Sequence, residues 1–220
     1  MISWEEYYEE YLEGKNAEQI MAVIRDLKQE IDHLKNTMEH PKYGSESIKH
    51  QSESTQLWYT RTYLEIAKEA LIEVGGTYTP SKAELKVAAF EASIPAICRV
   101  EFLIGGYFYG YEIRTYILDD EHPCMNVNHS FSPRSNNSHI EPDYPINKDK
   151  LLKGIRELHI AEWHTKYDLS RFSDSVMDGT QWHLEIYFSD GHEPVKIYGD
   201  NAYPYNFREF QELLGMEQDV

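Results

Sequence analysis

Apolar residues recur at helical spacing through the first part of the chain and alternate at strand spacing through most of the remainder. Ser3 and Glu6 form a capping-box pattern that opens a helix over about 3–13, closed by Gly14. Trp4, Tyr7, Tyr8, Tyr11 and Leu12 give it an aromatic face. Asn16 and Gln19 open a second helix, along which Ile20, Ile24, Leu27, Ile31, Leu34 and Met38 mark an a/d seam that ends at His40-Pro41. Residues 41–54 read as a loop. A third helix spans about 53–74 with Leu57, Trp58, Leu64, Ala67, Leu71 and Val74 facing inward, and Gly75-Gly76 stops it. A short helix follows from the Ser81/Glu84 capping pattern to about Phe90. Two long consecutive helices predict a helical hairpin.

Beyond Pro95 the period changes to two. Residues 97–104 and 108–118 read as a hairpin around Gly105-Gly106, and 124–131 as a third strand. Residues 132–144 have loop composition, and Asn147 caps a helix over about 148–158. Residues 159–167 alternate weakly and are read as a strand. Residues 181–188 form a strand with Trp182, Leu184, Ile186 and Phe188 on one face. Asp190-Gly191 turns the chain into 195–198, and Asn206 and Glu209 cap a terminal helix. The predicted fold is α+β: a helical hairpin region over 1–92, then a domain over 93–220 ordered β-β-β-α-β-β-β-α, an antiparallel sheet with helices on one face. Each half of that order is a meander followed by a helix, the outline of an internal repeat.

Charge narrows the functions. The chain has 220 residues, 38 acids, 21 bases and a net charge of −17. Both halves are acidic, so phosphate backbones are repelled at long range and direct nucleic-acid binding is disfavoured. The same charge suits a basic protein partner, by steering encounter as well as by keeping the chain soluble. Seventeen tyrosines suit interfaces. Cys98 and Cys124 lie in separate strands with no disulfide framework, the pattern of free thiols in a reducing cytoplasm. The acidic N-terminus has no apolar signal region, and no run is long enough to span a membrane. The expectation is a cytoplasmic protein.

Candidate chemistry is sparse. There is no GxSxG elbow, no Walker A loop and no GxGxxG before a helix, so no catalytic residue and no cofactor is expected. His122, Cys124 and His129 are close in sequence, but Cys124 and His129 fall on opposite faces of a strand, so no metal site is expected. Carboxylates pair across strands in many ways in an acidic chain, Glu101 with Glu112 or Asp178 with Glu185 among them. The most unusual segment is Gly199–Pro204, where Gly and Asn tolerate positive φ and Pro fixes the exit. Turn and cap chemistry accounts for most of 178–210. Asp178, Trp182, Asp200, Asn201 and Tyr203 remain as the candidate ligand- or partner-binding residues.

The stretches DGTQW, LEIYFSDG and KIYGDNAYP, with the IGGYFYGYE hairpin and the HPKYG loop, resemble a family of uncharacterised bacterial proteins that share such a C-terminal module. The resemblance implies a bacterial cytoplasmic protein, with a mobile element as one setting; it brings no activity and no residue role. Three functions follow from the sequence. The first is a non-catalytic interaction protein, of inhibitor or immunity type, covering a basic, nuclease-like surface. The second is an enzyme or small-ligand binder with a pocket beside Gly199–Pro204. The third is an oligomeric adaptor using the 20–38 seam.

Overall fold

A computed structural model of the chain describes residues 2–43, 52–118, 121–131, 139–140, 144–172 and 179–216. Two compact units divide it, Met1–Ser81 and Lys82–Val220. The line drawn from composition at residue 92 follows secondary structure. The division by packing falls before the helix Lys82–Ser93, whose Phe90 joins the core of the second unit.

The first unit is three helices: α1 (Trp4–Tyr11), α2 (Ala17–Glu39) and α3 (Glu53–Glu73). Both predicted capping boxes form. Ser3 Oγ accepts from Glu6 N while Ser3 N donates to Glu6, and Asn16 and Gln19 exchange the same pair. α2 packs on α3. The two run antiparallel, since Tyr43 donates to Glu53 at one end while Lys28 and Lys68 both sit over Tyr78 farther along. Ile20, Ile24, Ile31, Leu34 and Met38 are buried, as are Leu57, Leu64, Ala67 and Leu71. The seam thus finds a partner within its own unit.

Two inward assignments on α3 do not hold. Trp58 is 57% exposed and Val74 is also exposed, because the buried line runs through Leu57, Leu64 and Leu71 and leaves Trp58 one position to its side. The Trp58 ring meets Trp4 edge-on at 5.6 Å instead. Tyr7 stacks on Tyr63 at 3.9 Å, and the Tyr63 hydroxyl donates to the Ile2 carbonyl. Burial, with Tyr11 and Tyr63 adding to it, pushes the Tyr7 phenol up to about 12. On α1, Tyr7 and Leu12 are buried whereas Tyr8 and Tyr11 are exposed.

The second unit is α+β, as the change of period predicts. Its helices are α4 (Lys82–Ser93), α5 (Lys148–Glu157) and α6 (Phe207–Leu213). Its strands are β1 (Ile97–Gly106), β2 (Gly110–Ile117), β3 (Cys124–Ser130), β4 (His139–Ile140), β5 (Tyr144–Pro145), β6 (Lys166–Asp168), β7 (Gln181–Phe188) and β8 (Val195–Asp200). They form one sheet in the order β4-β3-β2-β1-β7-β8-β6, with β5 also paired to β3. Every pairing is antiparallel except the short β6–β8 contact. Val100, Phe102, Tyr116, Trp182, Leu184, Ile186 and Ile197 lie on one face and build the core with Phe90, Leu151, Ile155, Phe207, Phe210 and Leu214 from the helices.

Two local expectations change. Residues 159–167 are mostly not a strand. His159 takes a left-handed φ of 50° and a 3-10 turn follows at Ile160–Glu162, which leaves only β6 extended. The hairpin read around Asp190-Gly191 forms, with a loop over residues 189–194 and β8 pairing from Ile186↔Val195. Asn206 does not cap α6 with its side chain. It turns inward, accepting from the Trp163 indole at 2.9 Å and donating to the Leu158 carbonyl at 2.6 Å. A buried polar side chain there is tolerable only because both ends are matched. Asn147, by contrast, caps α5 through the Lys150 N–H.

The centre of the core is Trp182, 2% exposed. Its indole N–H donates to the Ala202 carbonyl at 3.0 Å, and its ring meets Phe207 at 4.8 Å and Tyr167 at 5.7 Å. The ring lies directly over Gly199, where a Cβ would come within 1.9 Å of Nε1. Gly199→Ala is therefore expected to lower the unfolding free energy by about 1–3 kcal/mol, the range for overpacking. A urea-unfolding midpoint unchanged from the parent protein would contradict this seat.

Candidate functional site

The period of two that buries Trp182 places its neighbours on the opposite, open face of the sheet. Register there sets side chains in rows. Gln181, Asp200 and Asp168 align across β7, β8 and β6, and Leu103, His183, Tyr198 and Lys166 form the next row. Glu101, Glu185 and Lys196 follow, then Arg99 and Tyr187. Gln181 and Asp200 from the first row and all four residues of the second line a hollow of about 430 Å³.

The five residues singled out in the sequence separate in the structure. Asp178 lies outside the described residues. Trp182 is in the core and also borders the hollow. Asn201 has a φ of 53° and works as a clasp. Its Oδ1 accepts from Thr180 N at 2.8 Å, and its Nδ2 donates to Asp200 Oδ1 at 2.8 Å. Gly179 leaves room for that amide, since a Cβ there would sit 1.6 Å from Oδ1. Tyr203 packs half-buried on Phe207 at 4.9 Å. Asp200 is exposed, on the open face at the rim of the hollow.

Other residues supply the electrostatics. Lys166 Nζ lies 2.8 Å from Asp168, whose carboxylate also accepts from the N–H and hydroxyl of Ser170. The Lys166 and Ser170 hydrogen bonds hold Asp168 down at about 2. Glu185 is the hub of the third row. It accepts from the Tyr187 hydroxyl and sits 3.0 Å from Lys196 and 3.1 Å from Nε2 of His183. That imidazole nitrogen is buried and out of hydrogen-bonding line with the carboxylate. Burial pushes Glu185 up, but the hydrogen bonds from Tyr187 and Lys196, helped by neighbouring charge, leave it below the usual range. Burial lowers His183, against the pull of Glu185 and with help from Lys196. The His183 ring stacks on Tyr198 at 4.1 Å.

Carboxylates face each other at Glu101 and Glu185 and at Asp168 and Asp200. Glu112 instead opposes Ile104 and pairs with Arg114, while Asp178 lies outside the described residues. Like charges opposed across strands are unfavourable, and at the first pair Arg99 beside Glu101 at 3.4 Å and Lys196 beside Glu185 offset them. Among the described residues no group of three or more His, Cys, Asp or Glu is placed to hold a metal ion. No helix of the described residues is long and apolar enough to cross a membrane.

A second surface stands at the β1–β2 end of the sheet. Tyr107, Phe108 and Tyr109 form the hairpin turn and are 82%, 69% and 94% exposed, and Phe131, just after β3, is 92% exposed. The Tyr107 and Phe108 rings meet edge-on at 5.3 Å, and Phe131 lies beside Gly110. Isolated exposed aromatics are ordinary, but four gathered at one end form a patch.

Compared with protein-family models, characterised proteins and solved structures, the chain finds no match. Functional reading therefore rests on these two surfaces. Sequence reasoning reached Asp200 through its odd loop. It passed over His183, Tyr198, Lys166 and the hairpin tip. The alternation of QWHLEIYF already placed His183 opposite Trp182, whereas the turn was read at Gly105-Gly106 with Phe108 and Tyr109 in the second strand; Gly105 and Gly106 instead pair with Tyr111 and Gly110, which moves the turn to residues 107–109.

The depressed His183 has a consequence for stability. An unfolded histidine titrates near about 6.5. The folded side chain binds its proton less readily, so its contribution is intact above that pH and is lost as pH falls through the lower folded value. The urea midpoint is expected to drop as pH falls below about 6.5, and His183→Gln to flatten that slope. Equal slopes for the two proteins would show that His183 is not depressed.

Proposed function

We propose that this chain is a non-catalytic interaction protein that covers a basic surface on a protein partner, with the aromatic end of the sheet as its contact patch. The observation that carries the reading is the cluster Tyr107, Phe108, Tyr109 and Phe131, the most exposed large apolar side chains among the described residues. Aromatic side chains dominate contact energy where they are buried by a partner. The net charge of −17 supplies the complement: it raises encounter with a basic protein and opposes approach to anionic lipid or nucleic acid. Inhibition of a basic enzyme, a nuclease among them, is the form of this activity that the charge favours.

The test compares the parent protein with the triple variant Tyr107→Ser, Phe108→Ser, Tyr109→Ser as immobilised bait in extract of the source cells. The parent is expected to retain a protein of high isoelectric point that salt releases, and to inhibit it once purified. The triple variant should melt at the same temperature and bind at least about thirtyfold more weakly, as expected for removal of two or more hot-spot side chains at over 1 kcal/mol each. Equal retention by both baits, or no basic partner for the parent, would contradict the reading.

A further inference from the structure

The hollow on the open face has a composition that selects a particular group. Tyr198, 46% exposed, forms its wall, with one ring face held by the His183 stack. Leu103 adds apolar surface. Asp200 stands one row on, beside Gln181, and among the described residues it makes no ion pair; it accepts a hydrogen bond from the Asn201 amide. Among the described residues lining the hollow the cation is Lys166, which pairs with Asp168 at 2.8 Å and feels the Asp200 charge only as a weaker influence. Burial holds the His183 imidazole below its usual range, which disfavours a positive charge there. An aromatic wall, an apolar floor and a carboxylate with no ion pair among the described residues are thus held together at fixed register across β1, β7 and β8.

We propose that this hollow is a socket for one arginine side chain of the protein partner, its guanidinium against the Tyr198 wall and paired with the Asp200 carboxylate. This rests on the reading of a basic partner and adds a second contact, remote in sequence from the aromatic hairpin tip. A guanidinium fits better than an ammonium. It is planar, stacks on aromatic surface, is weakly hydrated and presents a fork of donors to a carboxylate. Lysine offers a compact, strongly hydrated charge that loses more on leaving water. An anionic ligand would face Asp200 with Lys166 already engaged.

The probe is N-acetyl-arginine methylamide, titrated into the full chain while the Tyr198 ring and His183 imidazole signals are followed by NMR. Saturable shifts confined to the hollow are expected, with a dissociation constant on the order of millimolar, as suits one side chain without its protein. Asp200→Asn and Tyr198→Leu should each weaken binding about tenfold or more, and N-acetyl-lysine methylamide should bind several-fold more weakly. Asp200→Asn keeps an acceptor for Asn201, and unchanged amide signals elsewhere would show that the fold is intact. Absence of shifts, or shifts undiminished in Asp200→Asn, overturns the socket. Tighter binding of free L-arginine than of the blocked residue also overturns it, since the hollow would then recognise a metabolite. These outcomes are independent of the hairpin-tip variants. Loss of the socket leaves the aromatic patch standing, and loss of partner binding by the tip variant leaves the guanidinium titration unchanged.

Discussion

The seat of the Trp182 indole over Gly199 is the contact on which the second unit depends. A strand position is normally filled by a side chain, and here the glycine lets a neighbouring ring occupy that space. The indole N–H then reaches Ala202, just beyond β8, so one side chain ties β7 to the segment leading into α6. Phe207 and Tyr167 close on the ring from two further elements. Replacing such a fully buried Trp by Ala costs about 3–5 kcal/mol, a large share of a typical domain's stability of about 5–15 kcal/mol.

That seat also decides what the other face can do. A one-residue slip between β7 and β8 would carry Trp182 to solvent and His183 into the core. With register fixed, His183 meets Tyr198, Glu185 meets Lys196, and Asp200 meets Gln181. Asn201 completes the constraint, its left-handed backbone and its amide holding Thr180 and Asp200 together. The loop residues that looked most like a site are thus largely structural. They hold in place the polar rows whose geometry supports the functional reading.

Much of this was legible because it is local. The Ser3/Glu6 and Asn16/Gln19 boxes, the Asn147 cap and the inward face of β7 each depend on residues a few positions apart, and each forms as read. What could not be read depends on distant pairing. Asn206 is drawn off its cap by Trp163 and Leu158, which no local pattern places beside it. Glu101 meets Glu185 only because β1 lies between β2 and β7 in the sheet. β6 is three residues long, too short to show a period, and it joins by parallel pairing that needs no turn signal. The hollow inherits this problem, since Leu103, Lys166, His183 and Tyr198 come from four strands.

The central claim, that Trp182 is the fixed point of the sheet, is tested most directly by hydrogen exchange of its indole N–H in the native protein. If the seat opens only when the unit unfolds, this proton exchanges with the same free energy as the backbone amides of Phe102 and Leu184 in the middle of β1 and β7. Exchange much faster than those amides, by local opening, would show that the ring leaves Gly199 without the sheet coming apart, and would contradict the account.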